Sequence, residues 1–270
     1  MRSGVRRRWS DAATALAAGT VAAVCAWAAS SGTVGALERA VFSFVNGWPD
    51  VLRWPLWIFQ TLGVLGMPLI VAAAALLFRR WRLAVALVLL VPLKLLVEKD
   101  VLKALVQRER PGTTIPGAIL RDVPSAGVSF PSGHAVIVFG IFVLVAPYLR
   151  RRWQVLVLVL AILNSVARVY LGGHAPLDIV GGAAAGVLVG SLLDFALGVP
   201  ARPATRAGEN PSASPVDADG LGFSGPEPLA APPAERSAEH QDAARLEEPG
   251  CAEPSVGERD GRSWRRWPPG

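Results

Sequence analysis

"FPSGHAVIVFGIFVLVAPYLRRR", residues 130–152, runs from polar to apolar to basic. Ser132, Gly133 and His134 open it, an apolar run fills 133–149, and Arg150-Arg151-Arg152 close it. A helix of about 20 apolar residues crosses a hydrocarbon core, and arginines at one end mark the cytoplasmic side. The stretch therefore reads as a membrane helix whose polar mouth, carrying a proton-active side chain, faces outward.

Five other stretches share this pattern, at 12–30, 54–78, 82–103, 153–171 and 177–198. The fold expected from them is all-α, a polytopic membrane bundle of six transmembrane helices over residues 1–198, multi-pass in the plasma membrane. Basic clusters also stand at Arg6-Arg7-Arg8 and at Arg79, Arg80 and Arg82, so an inside N-terminus puts every cluster in the cytoplasm. The loops after the first, third and fifth spans then face outward. Residues 1–30 also fit a secretory signal through Ala26-Trp27-Ala28, although their apolar run exceeds the usual length of roughly 7–15. Between the first two spans, Leu37, Ala40, Val41, Phe44 and Val45 recur opposite Glu38, Arg39, Ser43 and Asn46, the pattern of a short amphipathic helix at the outer interface.

Of the charged residues, 19 Lys and Arg with 9 Asp and Glu lie in 1–198, whereas 199–270 hold 8 and 12. The basic excess thus belongs to the membrane part and gives no argument for nucleic-acid binding. Residues 199–270, rich in Pro, Ala, Gly, Glu and Ser, read as a disordered cytoplasmic tail whose protein partner the sequence does not identify. Cys25 and Cys251 are too few and too differently placed for a disulfide framework or a metal site.

Polar outliers collect at the outward face. The third span ends in Lys94, Glu98, Lys99, Asp100 and Lys103; for Lys94 and Glu98, four apart, pairing and solvation at the interface is the simpler account. Arg108, Arg110 and Pro111 follow, then Ser132, Gly133 and His134, then Arg168, His174 and Asp178. A single interfacial histidine would need no function. Two of them beside arginines, at helix mouths on one face, point to a site.

Ser132 stands where an N-cap belongs, and free N–H groups of Gly133, His134 and Ala135 form an anion site at a helix start. Gly133 leaves room for an oxyanion. Lys103, Arg110 and Arg168 supply cations suited to tetrahedral phosphate. His174 and Asp178, four residues apart, let a carboxylate hold an imidazole whose other nitrogen stays free as a nucleophile, with His134 able to donate a proton to the departing oxygen.

These residues resemble the three-part signature of the type 2 phosphatidic acid phosphatase family. Lys103 with Arg110-Pro111 matches K-x6-RP, Pro131-Ser132-Gly133-His134 matches PSGH, and Arg168, His174 and Asp178 match SR-x5-H-x3-D, except that Ala167 replaces the serine. The resemblance covers roughly 35–198, with the signature in 103–178. It implies an integral-membrane phosphatase in which His174 attacks phosphorus to give a phosphohistidine, Asp178 orients it, and His134 protonates the leaving group. Lys103, Arg110, Arg168, Ser132 and Gly133 would bind the phosphoryl group, with no metal and no cofactor implied. The substrate expected is a lipid phosphate, first of all a polyprenyl diphosphate of cell-envelope synthesis, with phosphatidic acid and phosphatidylglycerol phosphate as alternatives. Gly182, Gly186 and Gly190 are assigned to helix packing. The competing readings are a vanadium haloperoxidase, against which the six spans argue, a lipid-phosphate binding or transport protein without turnover, and a scaffold acting through its tail.

Overall fold

The computed structural model describes residues 5–6 and 9–200. Residues 201–270, where the disordered cytoplasmic tail is expected, lie outside the described residues. Helices occupy all six stretches that hydropathy marks: α1 (Trp9–Ala29), a bent pair α3 (Arg53–Gln60) and α4 (Met67–Leu77), α5 (Trp81–Leu95), α6 (Gly133–Val145), α7 (Arg151–Tyr170) and α8 (Pro176–Leu197), with α2 (Ala36–Asn46) after the first. By length and composition α1, α7 and α8 suffice to cross a membrane, and the bent pair adds a fourth if it is one span.

Three stretches depart from straight spans. The second breaks between Thr61 and Gly66 and turns by 68°, and Pro68, which tolerates a first helical turn, restarts it. The third leaves α-geometry at Leu96 for a π-helix, Leu96–Leu102. The fourth is 13 residues followed by a 3-10 turn at Ala146–Tyr148.

α8 lies at the centre, packed by α1, α5 and α6. Its glycines explain the closeness: a Cβ on Gly182 would stand 3.0 Å from the Ala135 Cβ, and one on Gly190 2.9 Å from the Val143 Cβ. Between helices in lipid, such backbone approach is a main source of association. Leu87 and Leu90 of α5, Ile137 and Leu144 of α6, and Val189 and Leu193 of α8 fill the core below the site.

The two ends of the bundle differ in chemistry. At one, the Arg80 guanidinium lies 5.6 Å over the Tyr148 ring, joining two arginine-bearing connections, and Val5–Arg6 pairs antiparallel with Val199–Pro200. At the other, the long 106–132 loop is tied down from α2 and α7. Asn46 donates to the carbonyls of Ile119 and Tyr170 at 2.8 Å and accepts from the Ile119 N–H. Arg121 donates to the carbonyls of Asn46 and Tyr170 and stacks 4.1 Å over the Tyr170 ring. These buried donors are satisfied by backbone carbonyls of α2, α7 and the loop, which ties the loop to both helices.

α2 turns its apolar stripe away from the bundle, the side an interfacial helix sets against lipid. Phe42 and Asn46 are buried while Leu37 and Phe44 are exposed, and Glu38 points inward to a salt bridge with Arg108. The inward face is thus Glu38, Phe42 and Asn46, one apolar side chain between two polar anchors.

Candidate functional site

The π-helix decides what the third span contributes. Side chains five apart share a face where hydrogen bonds run i to i+5, and Lys103 donates to Glu98, five residues before it, at 2.6 Å. Lys94 pairs with the other Glu98 oxygen. Pairing is therefore as the sequence suggests, but solvation is not: Lys94 and Glu98 are buried, and both face a cavity of about 630 Å³. The Glu98 carboxylate lies against the start of α6, with oxygens 2.6 and 2.7 Å from where a Gly133 Cβ would be.

Six of the eight residues singled out in the sequence line this cavity: Lys103, Arg110, Gly133, His134, Arg168 and His174. They come from α5's extension, the following loop, α6, α7 and the α7–α8 turn. Ser132 and Asp178 are fully buried and lie behind it. His134 is seated by a contact the sequence did not disclose. Gly63, in the break between α3 and α4, has no side chain because a Cβ there would stand 2.6 Å from that of His134.

The two arginines are held by one end only. Arg110 Nη1 donates to the Gly173 carbonyl at 2.8 Å, and Arg168 Nη1 to Gln60 Oε1 at 2.5 Å. The Nε of each is buried without a hydrogen-bond partner among the described residues, as is the Ser132 hydroxyl. Such donors are costly unless something accepts from them. Burial lowers the pKa of Arg110, while Asp178 and Glu98 oppose the shift.

Ser132 does take the N-cap position of α6, but its hydroxyl makes no capping bond. Its N–H instead donates to the Asp178 carbonyl at 2.9 Å, linking the starts of α6 and α8. His174 is not on the helix with Asp178; it precedes the Ala175 cap in a turn that Gly172, at φ +83°, makes possible. Asp178 uses its Oδ2 first to accept the Ala175 N–H at 2.9 Å. Its distance to His174 Nδ1 is 3.7 Å, too long for a hydrogen bond. The Ser129 hydroxyl fills the gap, donating to Asp178 Oδ2 and lying 3.3 Å from His174 Nδ1. The imidazole is 2% exposed. Burial brings its pKa down to about 4; Asp178 opposes this, and Arg168 and Arg110 reinforce it.

Ser129, Arg108, Glu38 and Gln60 are thus polar partners that the signature motifs do not specify. Arg108 is 1% exposed and bridges Glu38 and Asp178; its partners lie 70 residues away on either side, so no local spacing could signal them. Ala167, where the signature has serine, is wholly buried against Leu56, Tyr170 and Leu171. A hydroxyl there would meet apolar side chains and turn back to its own helix. Ala167→Ser is therefore expected to change stability by less than about 1 kcal/mol and to leave turnover within about two-fold, as measured by thermal unfolding and steady-state rates.

Residues 80–194 match the model of the PAP2 superfamily. The chain contains a PAP2 superfamily domain. That PAP2 domain holds every signature residue from Lys103 to Asp178, while Glu38, Gln60 and Gly63 contact it from outside the matched region. The lipid A 4'-phosphatase of Bacteroides thetaiotaomicron is 29% identical over 177 residues, covering 59% of this chain and 76% of that protein. The undecaprenyl-diphosphatase of Sulfolobus acidocaldarius is 33% identical over 127 residues, which are 46% of this chain and 59% of that protein. The crystal structure of the PAP2-type phosphatidylglycerolphosphate phosphatase from Bacillus subtilis superposes with a TM-score of 0.57 at 20% identity, over 67% of this chain and 94% of that one. The relatives that this chain resembles carry names that specify different lipid phosphates.

Proposed function

We propose that the protein is an integral-membrane lipid phosphate phosphatase working through a phosphohistidine, without a metal, at the outer face of the membrane. The observation that carries this reading is the convergence of Lys103, Arg110, His134, Arg168 and His174 on one cavity, where two buried guanidinium Nε donors lack acceptors. Phosphoryl oxygens satisfy such donors in geometry and charge.

His174 Nε2 attacks phosphorus, forming the P–N bond as the bond to the leaving oxygen breaks. His134 gives that oxygen its proton. Water then attacks the phosphohistidine with His134 as base, the P–N bond breaks, and phosphate leaves. Lys103, Arg110, Arg168 and the Gly133 N–H hold the charge on the transferring group. From a polyprenyl diphosphate the products are the polyprenyl monophosphate and inorganic phosphate.

A lipid substrate is favoured over a soluble ester by what lies beside the cavity. Val138, Ile141 and Val145 follow His134 on one face of α6 at helical spacing and, with Leu62, Met67 and Val71, line an apolar cavity of about 280 Å³. The gathering of arginine-bearing connections at the other end of the bundle supports a reading with six spans, cytoplasmic termini and the signature end outward.

The test is phosphate release by the purified protein in detergent with chelator present, from a polyprenyl diphosphate, phosphatidic acid, phosphatidylglycerol phosphate and lipid A. Chelator-resistant release, fastest from the polyprenyl diphosphate, is expected; release restored only by a divalent cation would refute the mechanism, and a different ranking would replace the substrate.

The pH profile follows from the pKa of His174. Lowered from 6.5 to about 4, it leaves the imidazole a free base at every pH above that. The acid limb of kcat/KM that belongs to His174 is expected near pH 4, not near 6.5, in rates measured from pH 3.5 to 8. The same shift makes this group destabilising as pH falls through 6.5 toward 4, where the unfolded chain takes up a proton that the folded one refuses.

A further inference from the structure

Asp178 reaches His174 only through another side chain, and its own place is fixed by residues that the three motifs do not specify. An ionised Asp178 has no proton to give, so the Ser129 hydroxyl donates to its Oδ2. That leaves the Ser129 oxygen as acceptor for His174 Nδ1, 3.3 Å away. The proton of the neutral imidazole is then on Nδ1 and Nε2 is bare. Ser129 is in turn registered to Arg108, whose carbonyl accepts the Ser129 N–H at 2.7 Å, beside the Glu109–Val128 bridge.

Arg108 closes the arrangement from the other side. Its Nη1 donates to Asp178 Oδ1 at 3.2 Å and its Nη2 to Glu38 Oε2 at 2.5 Å, with the guanidinium fully buried. Glu38 Oε1 accepts the Leu177 N–H at 2.9 Å, in the first turn of the helix that carries Asp178. One carboxylate on α2 thus fixes both the arginine that holds Asp178 and the helix start that presents it. A buried guanidinium between two carboxylates is costly to assemble, and a purely structural role could be filled by apolar side chains.

We infer that Ser129, Arg108 and Glu38 are positioning residues that, through Asp178, select the Nδ1–H tautomer of His174 and aim its Nε2 into the cavity. The inference rests on the reading of His174 as nucleophile, but the tautomer can be observed without turnover. The full chain, labelled with 15N-histidine and purified in detergent, is compared as wild type, Ser129→Ala, Glu38→Gln and Arg108→Gln. His174→Ala assigns the His174 signals. In the wild type, His174 shows one tautomer with the proton on Nδ1. Ser129→Ala and Glu38→Gln, the mild changes, are expected to mix the tautomers and to lower kcat about 10- to 100-fold with KM within about three-fold, the scale of removing a group that orients a functional imidazole. Arg108→Gln is expected to cost more, and Arg108→Lys to recover little, because one ammonium does not span both carboxylates.

Unchanged tautomer and kcat in folded Ser129→Ala and Glu38→Gln would overturn the inference, as would a rise in KM alone. If His174→Ala proved fully active, the nucleophile reading would fall, while the 15N spectra would still decide whether these residues govern the imidazole.

Discussion

Alanine at position 174 is expected to lower kcat by more than about 10⁴-fold, the scale of losing a covalent nucleophile, with little change in KM. Neither His134 nor Asp178 is placed to replace it. His134 is at the mouth of α6 against Gly63, and both Asp178 oxygens are engaged, one by Arg108 and the other by Ser129 and Ala175. Lys103, Arg110 and Arg168 line the cavity independently of the imidazole, so binding survives its removal. Steady-state rates with two lipid phosphates check this. A loss confined to KM would assign His174 to binding.

Alanine at position 134 is expected to lower kcat about 10²- to 10⁴-fold, the range of general acid–base catalysis, with a loss that depends on the leaving group. An alkoxide or a lipid monophosphate needs a proton as it departs, whereas p-nitrophenolate does not. On p-nitrophenyl phosphate the first step of His134→Ala should therefore run almost as in the wild type, and phosphoenzyme should accumulate because water then lacks its base. Stopped-flow release of nitrophenol checks both points: a burst followed by slow turnover is the expected trace. Equal losses on both substrate types, without a burst, would make His134 a phosphate-binding residue.

Apolar runs are local signals, and the described residues carry a helix in each of the six stretches they mark, although only three, or four with the bent pair, are long and apolar enough to cross a membrane. The signature spacings name six of the residues that line the cavity, together with Ser132 and Asp178 behind it. Non-local geometry was not legible. Glu98 contacts Lys103 because the helix widens to π-geometry at Leu96, and nothing in the residue types announces that change. Glu38 looks like the polar face of an interfacial helix until the chain brings Arg108 to it. Asp178 is four residues from His174, the spacing of a direct contact on a helix, yet the helix starts only at Pro176 and the carboxylate is drawn to the Ala175 N–H. Ser129 stands one residue before the Phe130–His134 stretch, and its side-chain partners lie more than forty residues on. The second span reads as continuous because its glycines and proline sit among apolar residues; its bend at Gly63 is what lets His134 pack there.

The most direct measurement is a single-turnover rapid quench with a polyprenyl diphosphate carrying 32P in its terminal phosphate, using wild type and His174→Ala. Label should appear on the protein as an alkali-stable, acid-labile adduct, form no more slowly than phosphate is released, and map by peptide digestion to His174. Label at another residue, or phosphate release at full rate with no labelled protein at any quench time, would contradict a phosphohistidine at His174.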